Sequence, residues 1–111
     1  MSEHVSIETL AMLKEVMEDS FNELIEMYIT DSQNRIKSLS EACAANDSES
    51  VRREAHSLKG SSGNIGASIM AELTKQVEDK GREETLEGVD ELIVQIEEEY
   101  KELKVILTDM L

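Results

Sequence analysis

From Ile7 to Leu107 the apolar residues of this chain recur every three or four positions, and no proline interrupts them anywhere in its 111 residues. That spacing gathers side chains on one face of an α-helix, and without proline the pattern can run for many turns. With 40% hydrophobic residues the chain can fill one core, and its length suits a single domain spanning 1–111. The expectation is all-α.

Breaks in the periodicity set the elements. Ser6 can cap a short helix whose stripe is Ile7, Leu10, Leu13 and Val16 or Met17. Asp19 or Ser20 can cap a longer one, with Phe21, Leu24, Ile25, Tyr28, Ile36, Leu39 and Cys43 on its buried side and Ser32 bridging the gap. It should end near Ala45, where "AND" supplies a stop and a fresh cap. A third helix carries Val51, Ala55 and Leu58 and should weaken through "GSSGNIG". A fourth runs from about Ala67 to a stop at Gly81, and "REETLEG" connects it to a last helix, Val89 to Met110. Four substantial amphipathic helices with short connections predict an antiparallel four-helix bundle with a short additional N-terminal helix as a lid.

Charge excludes several functions. The formal net charge is −14, which repels nucleic acid backbones and anionic membranes. No apolar run is long enough to span a bilayer, and the N-terminus lacks the pattern of a signal peptide. The one cysteine, Cys43, suits a reducing compartment and reads as a small core residue. A cytoplasmic location and a monomeric state are expected. His4 falls in what reads as a mobile tail, and "QIEEEYKEL" as the solvated face of the last helix.

Against this background "VRREAHSLKG" reverses sign, with three basic residues against one acidic around His56. At about 100° per residue, Val51, Ala55, Leu58, Ser62 and Ile65 share one arc, and His56 lies roughly 140° from its centre. Arg52, Lys59, Gly60 and Gly63 fall on the outer side with it. A glycine inside a helix costs about 1 kcal/mol relative to alanine. Gly63 and Gly66 can be read equally as the helix end or as clearance for a partner's backbone; for Gly60, one turn after His56, clearance is the better reading. An exposed imidazole beside cations is a nucleophile suited to meeting an anion, phosphate first. Nothing supplies a nucleotide or metal site: in "LKGSSG" the lysine precedes the glycines, and no metal-ligand spacing surrounds His56. The phosphoryl group must then come from a partner. A helical adaptor that never carries phosphate is the competing reading, and a hydrolase using His56 as base lacks a second catalytic group.

At these residues, "AHSLKGSSGNIG", the chain resembles the histidine-containing phosphotransfer (HPt) family, and the similarity extends upstream through Phe21–Asp31 and the Ala42–Asp47 region. The resemblance implies a non-enzymatic carrier. His56 would take a phosphoryl group on Nε2 from the aspartyl phosphate of one receiver domain and pass it to another. It implies that Lys59 steadies the phosphate, Gly60 clears space for docking, and Ser61, Ser62 and Gly63 are the small positions that follow; Arg52, on the same outer arc, is expected on the docking face from helix geometry. Mg²⁺ would be supplied by the receiver rather than bound as a cofactor here. Family members often carry a glutamine on the next helix, where this chain has Glu78, with Gln76 two positions earlier. A carboxylate beside the phosphate would repel it, so that role is not transferred. Met12, Leu13, Met17 and Ile29 are candidates for an apolar docking ring, with core packing the favoured account of each.

Overall fold

The computed structural model describes residues 4–111. It contains five helices: α1 Ile7–Met17, α2 Ser20–Ala44, α3 Ser48–Asn64, α4 Ser68–Arg82 and α5 Val89–Asp109. The last four close a ring in which α2 packs on α3 and α5, and α4 packs on α3 and α5, while α1 lies against α2. Leu10, Phe21, Ile25, Leu39, Leu58, Met70, Val77, Ile96, Leu103 and Leu107 are sealed from solvent in the centre. Among the described residues, a fully buried side-chain hydrogen bond crosses that core from the Tyr28 hydroxyl to Ser62 Oγ at 2.8 Å. None of the helices is long and apolar enough to cross a membrane.

The helix ends show which signals act. Ser6 Oγ accepts from Thr9 N–H and Asp47 Oδ1 from Ser50 N–H, so both caps form as the sequence indicates. Asp19 occupies the cap position of α2 but makes no capping bond. α3 does not weaken through the glycines; it continues to Asn64, and Gly66 at φ +80° is the stop. There the Ala67 N–H reaches back to the Ser62 carbonyl. Thus Gly66 is the helix end, and Gly63 lies inside the helix.

Gly81 is not a stop either. α4 runs on to Arg82, and Glu84 takes the left-handed position in the turn that follows. The glycine is needed for a different reason: a Cβ there would sit 2.8 Å from the backbone nitrogen of Arg52. At this point α4 presses directly on the α3 backbone. Gly60 and Gly63 are the opposite case, since a Cβ on either would meet nothing within 4 Å.

The N-terminal segment is tied down rather than loose. Val5 is buried, the Ser6 N–H donates to the Gly66 carbonyl, and His4 Nδ1 lies 2.8 and 2.9 Å from the two Glu99 carboxylate oxygens. Glu99 follows Ile96 by three residues and precedes Leu103 by four, so it falls on the buried arc of α5. It is only 7% exposed, which corrects the expectation that this acidic run is wholly solvated. A carboxylate placed there needs a donor, and His4 provides it. Cys43 is half-buried against the core, with its thiol directed at Asp90 Oδ1.

The two kinds of glycine predict opposite responses. Gly81→Ala should destabilise the protein by about 1–3 kcal/mol, because the added methyl forces α4 away from α3. Gly60→Ala should stabilise it by about 0.5–1 kcal/mol by relieving a helical glycine in open space. Urea denaturation of both variants checks this; the same sign for the two would refute the packing difference.

Candidate functional site

His56 stands on the flank of α3 that faces α4, with its side chain 64% exposed. Its Nδ1 lies 2.7 Å from Glu78 Oε2. Glu78 comes from α4, one turn before the Gly81 contact, and its side chain is only 3% exposed. An ionised carboxylate can only accept, so the short contact places the ring proton on Nδ1 and leaves the Nε2 lone pair free. Among the described residues Nε2 has no protein hydrogen-bond partner.

The Glu78 carboxylate is shared. Lys59 Nζ, on α3 one turn after His56, lies 2.6 Å from Oε1, and Arg82 Nη2, four residues on in α4, lies 3.2 Å from Oε2. Burial by itself would raise the Glu78 pKa, but the hydrogen bonds from Lys59 and His56, together with the Lys59 charge, outweigh it and hold the carboxyl below its ordinary value. The other guanidinium nitrogen of Arg82 donates to Asp79 Oδ1 at 2.9 Å, and Lys75 Nζ lies 3.3 Å from Asp79 Oδ2.

The residues singled out in sequence are partly brought together here. His56 and Lys59 meet at Glu78, though Lys59 is half-buried and paired rather than free. Arg52 is turned to Glu49, 2.7 Å away. Gly60 and Gly63 are exposed on the outer side of α3. Ser61 is not at the site: five residues on, it is about 140° around the helix from His56. Its hydroxyl donates to the Leu58 carbonyl. Ser62 is buried on Tyr28. Gln76 is exposed. Of the apolar docking candidates Met12 is 65% exposed, whereas Leu13, Met17 and Ile29 pack partly on the core.

Two participants were missed. Glu78 was set aside as repulsive to phosphate, but it approaches Nδ1, the ring nitrogen on the far side from Nε2. Its signal was the register already noted, one helix on and opposite the histidine. Arg82 was assigned to the connection after α4, because Gly81 was read as the stop.

Stability should follow the Glu78 charge. Its folded pKa is lowered, so its contribution is complete above the unfolded value, about 4.3, and is lost as pH falls through the folded value. Glu78→Gln should therefore be less stable than wild type near pH 6, by about 1–2 kcal/mol. The gap should shrink as acid takes the pH down through the folded value, where Glu78 too becomes neutral. A gap that stays constant in urea titrations across this range would show that Glu78 contributes by shape alone.

An exposed imidazole with one nitrogen tied down and the other free, beside two cations and in a helical bundle, fits a surface nucleophile that meets its reactant on another protein. The comparisons agree with this geometry. The sequence matches the Hpt domain family over residues 23–105. The crystal structure of histidine-containing phosphotransfer protein B (HptB) from Pseudomonas aeruginosa PAO1 superposes with a TM-score of 0.95 at 34% sequence identity, over 99% of this chain and 96% of that one. No curated protein matches the sequence. With the fold matched from end to end and His56 inside the matched segment, the chain belongs to the Hpt domain family, and its function is phosphotransfer within a phosphorelay.

Proposed function

We propose that His56 is the phosphoryl-accepting residue, taking the group from a receiver-domain aspartyl phosphate and returning it to the aspartate of another receiver. The observation that carries this reading is the 2.7 Å contact between His56 Nδ1 and the buried Glu78 carboxylate, made by a side chain that is otherwise exposed. It orients the nucleophilic nitrogen away from the protein and favours the tautomer with its lone pair free.

The bond changes follow from that tautomer. The Nε2 lone pair attacks phosphorus, the bond from phosphorus to the aspartyl oxygen breaks, and the aspartate leaves as a carboxylate with that electron pair. No proton has to leave Nε2, because the ring proton is on Nδ1. The phosphorylated ring then carries positive charge, which the Glu78 carboxylate stabilises across Nδ1–H. A ring still protonated at Nδ1 is also a good leaving group, so the same arrangement serves donation to a second aspartate.

The remaining charges suit a partner that brings its own chemistry. Mg²⁺ bound by the receiver would offset the equatorial phosphoryl oxygens. Lys59, 2.6 Å from Glu78, is the cation of α3 placed to turn toward the arriving group. The protein acts as a carrier without kinase activity of its own, and it docks receivers as a monomer. Gly60 and Gly63 support this reading. Both lie in the second half of α3, Gly60 four residues and Gly63 one residue before its end, and neither is needed for packing within the chain. The helical stability they give up has its return in a partner's close approach.

The test is phosphoryl transfer from a panel of radiolabelled receiver domains with Mg²⁺. Wild type should acquire an acid-labile, alkali-stable label, and His56→Gln should acquire none while keeping its melting temperature, since the side chain is largely exposed. Receivers that bind without transferring label would favour an adaptor. Gly60→Gln should fold at least as well as wild type yet accept label at least tenfold more slowly, because the long side chain fills the space above His56. Unimpaired transfer by that variant would remove docking clearance as the reason for the glycine.

A further inference from the structure

The Glu78 carboxylate sets His56 a difficulty. A hydrogen bond to Nδ1 orients the ring, but a negative charge 2.7 Å away also favours the doubly protonated imidazolium, whose Nε2 has no lone pair to attack with. A carboxylate alone would orient the nucleophile and disable it in acid. The structure surrounds that carboxylate with cations. Lys59 from α3 and Arg82 from α4 contact it directly, and Arg52 on α3 adds a longer-range positive charge.

These cations are not equivalent. Lys59 is a single ammonium on a flexible stem, on the histidine's own helix. On the phosphotransfer reading above it turns toward the incoming group, and it then leaves Glu78. Arg52 is already engaged by Glu49 at 2.7 Å. Arg82 is held from two sides. One nitrogen lies on Glu78 Oε2 and the other on Asp79 Oδ1, while Lys75 in turn lies on Asp79. It also sits in the last turn of α4, where the helix dipole favours a cation. Arg82 is the positive charge that stays on Glu78 when Lys59 moves.

We propose that Arg82 is a positioning residue for His56: it offsets the Glu78 charge without displacing the Nδ1 hydrogen bond, and so keeps Nε2 unprotonated and reactive. This rests on the phosphotransfer reading only for its consequence in transfer; its effect on the imidazole is a property of the free protein. The opposing account is that an arginine 58% exposed forms an ordinary surface ion pair of no consequence.

The experiment is an NMR titration of the His56 ring in the full chain, with its resonance assigned by its loss in His56→Gln, for wild type, Arg82→Gln and Arg82→Lys. Arg82→Gln should raise the His56 midpoint by about 0.5 pH unit, which is roughly a threefold change in its protonation equilibrium. Arg82→Lys keeps the charge and should stay within about 0.2 unit of wild type. In transfer from a phosphorylated receiver, Arg82→Gln should be about threefold slower than wild type near pH 6 and equal to it near pH 8. An unchanged or lowered midpoint in Arg82→Gln overturns the proposal, and so does a shift in Arg82→Lys as large as that in Arg82→Gln. A wild type that accepts no label overturns the phosphotransfer reading instead, and the titration still decides the role of Arg82.

Discussion

Where α4 crosses α3 at Gly81, a hydrogen takes the place of a side chain and the Arg52 backbone fills the space. Two helices that met through ordinary side chains would stand 8–10 Å apart. Removing one side chain at the crossing draws them closer. Glu78 lies one turn back along α4, and His56 and Lys59 lie one and two turns on along α3, so the crossing fixes how far apart they are. A glutamate side chain can then span from a buried root to the imidazole. The site is a consequence of that crossing more than of any residue at the surface.

Placing a carboxylate under a histidine would ordinarily be unfavourable in two ways. Burial penalises the charge, and the charge penalises the neutral ring. Both are met by the same device, a set of donors that converge on one acceptor from two helices. Lys59 and His56 come from α3 and Arg82 from α4. His4 and Glu99 form a second pair of the same kind, in which a half-exposed imidazole satisfies a buried glutamate. There the partner belongs to the N-terminal segment and the pair anchors chain, whereas the His56 side chain stays 64% exposed. The two pairs differ in their cations: among the described residues, basic groups directly contact Glu78 but not Glu99.

Much of this was legible in the sequence. The five helices, the Ser6 and Asp47 caps and the exposure of His56 follow from periodicity and from local hydrogen-bonding chemistry. What failed did so for one reason: the identity of a residue does not tell what stands opposite it. Gly81 carried the chemistry of a stop and was used for contact, while the left-handed turn after α4 fell to Glu84. Moving that boundary placed Arg82 in a loop, where an i,i+4 partner could not be seen. Glu99 was hidden in an acidic run, although its spacing from Ile96 and Leu103 marks it as inward-facing. Glu78 was noticed but judged by its charge toward phosphate, when the deciding quantity was which imidazole nitrogen it would face. Pair geometry across helices is the part of a fold that a helical pattern leaves open.

The Tyr28–Ser62 contact has a bearing on all of this that lies away from the site. A seam made only of aliphatic side chains repeats itself, so two helices can slide past each other by a turn, about 5.4 Å, and still find apolar partners. One hydroxyl pair inside that seam reduces the degeneracy, because sliding the helices breaks the bond between two buried oxygens. In this bundle it joins α2 to α3, the helix that carries His56. His56 is thereby favoured at one height along α2, and a partner reading both helices at once meets that vertical alignment.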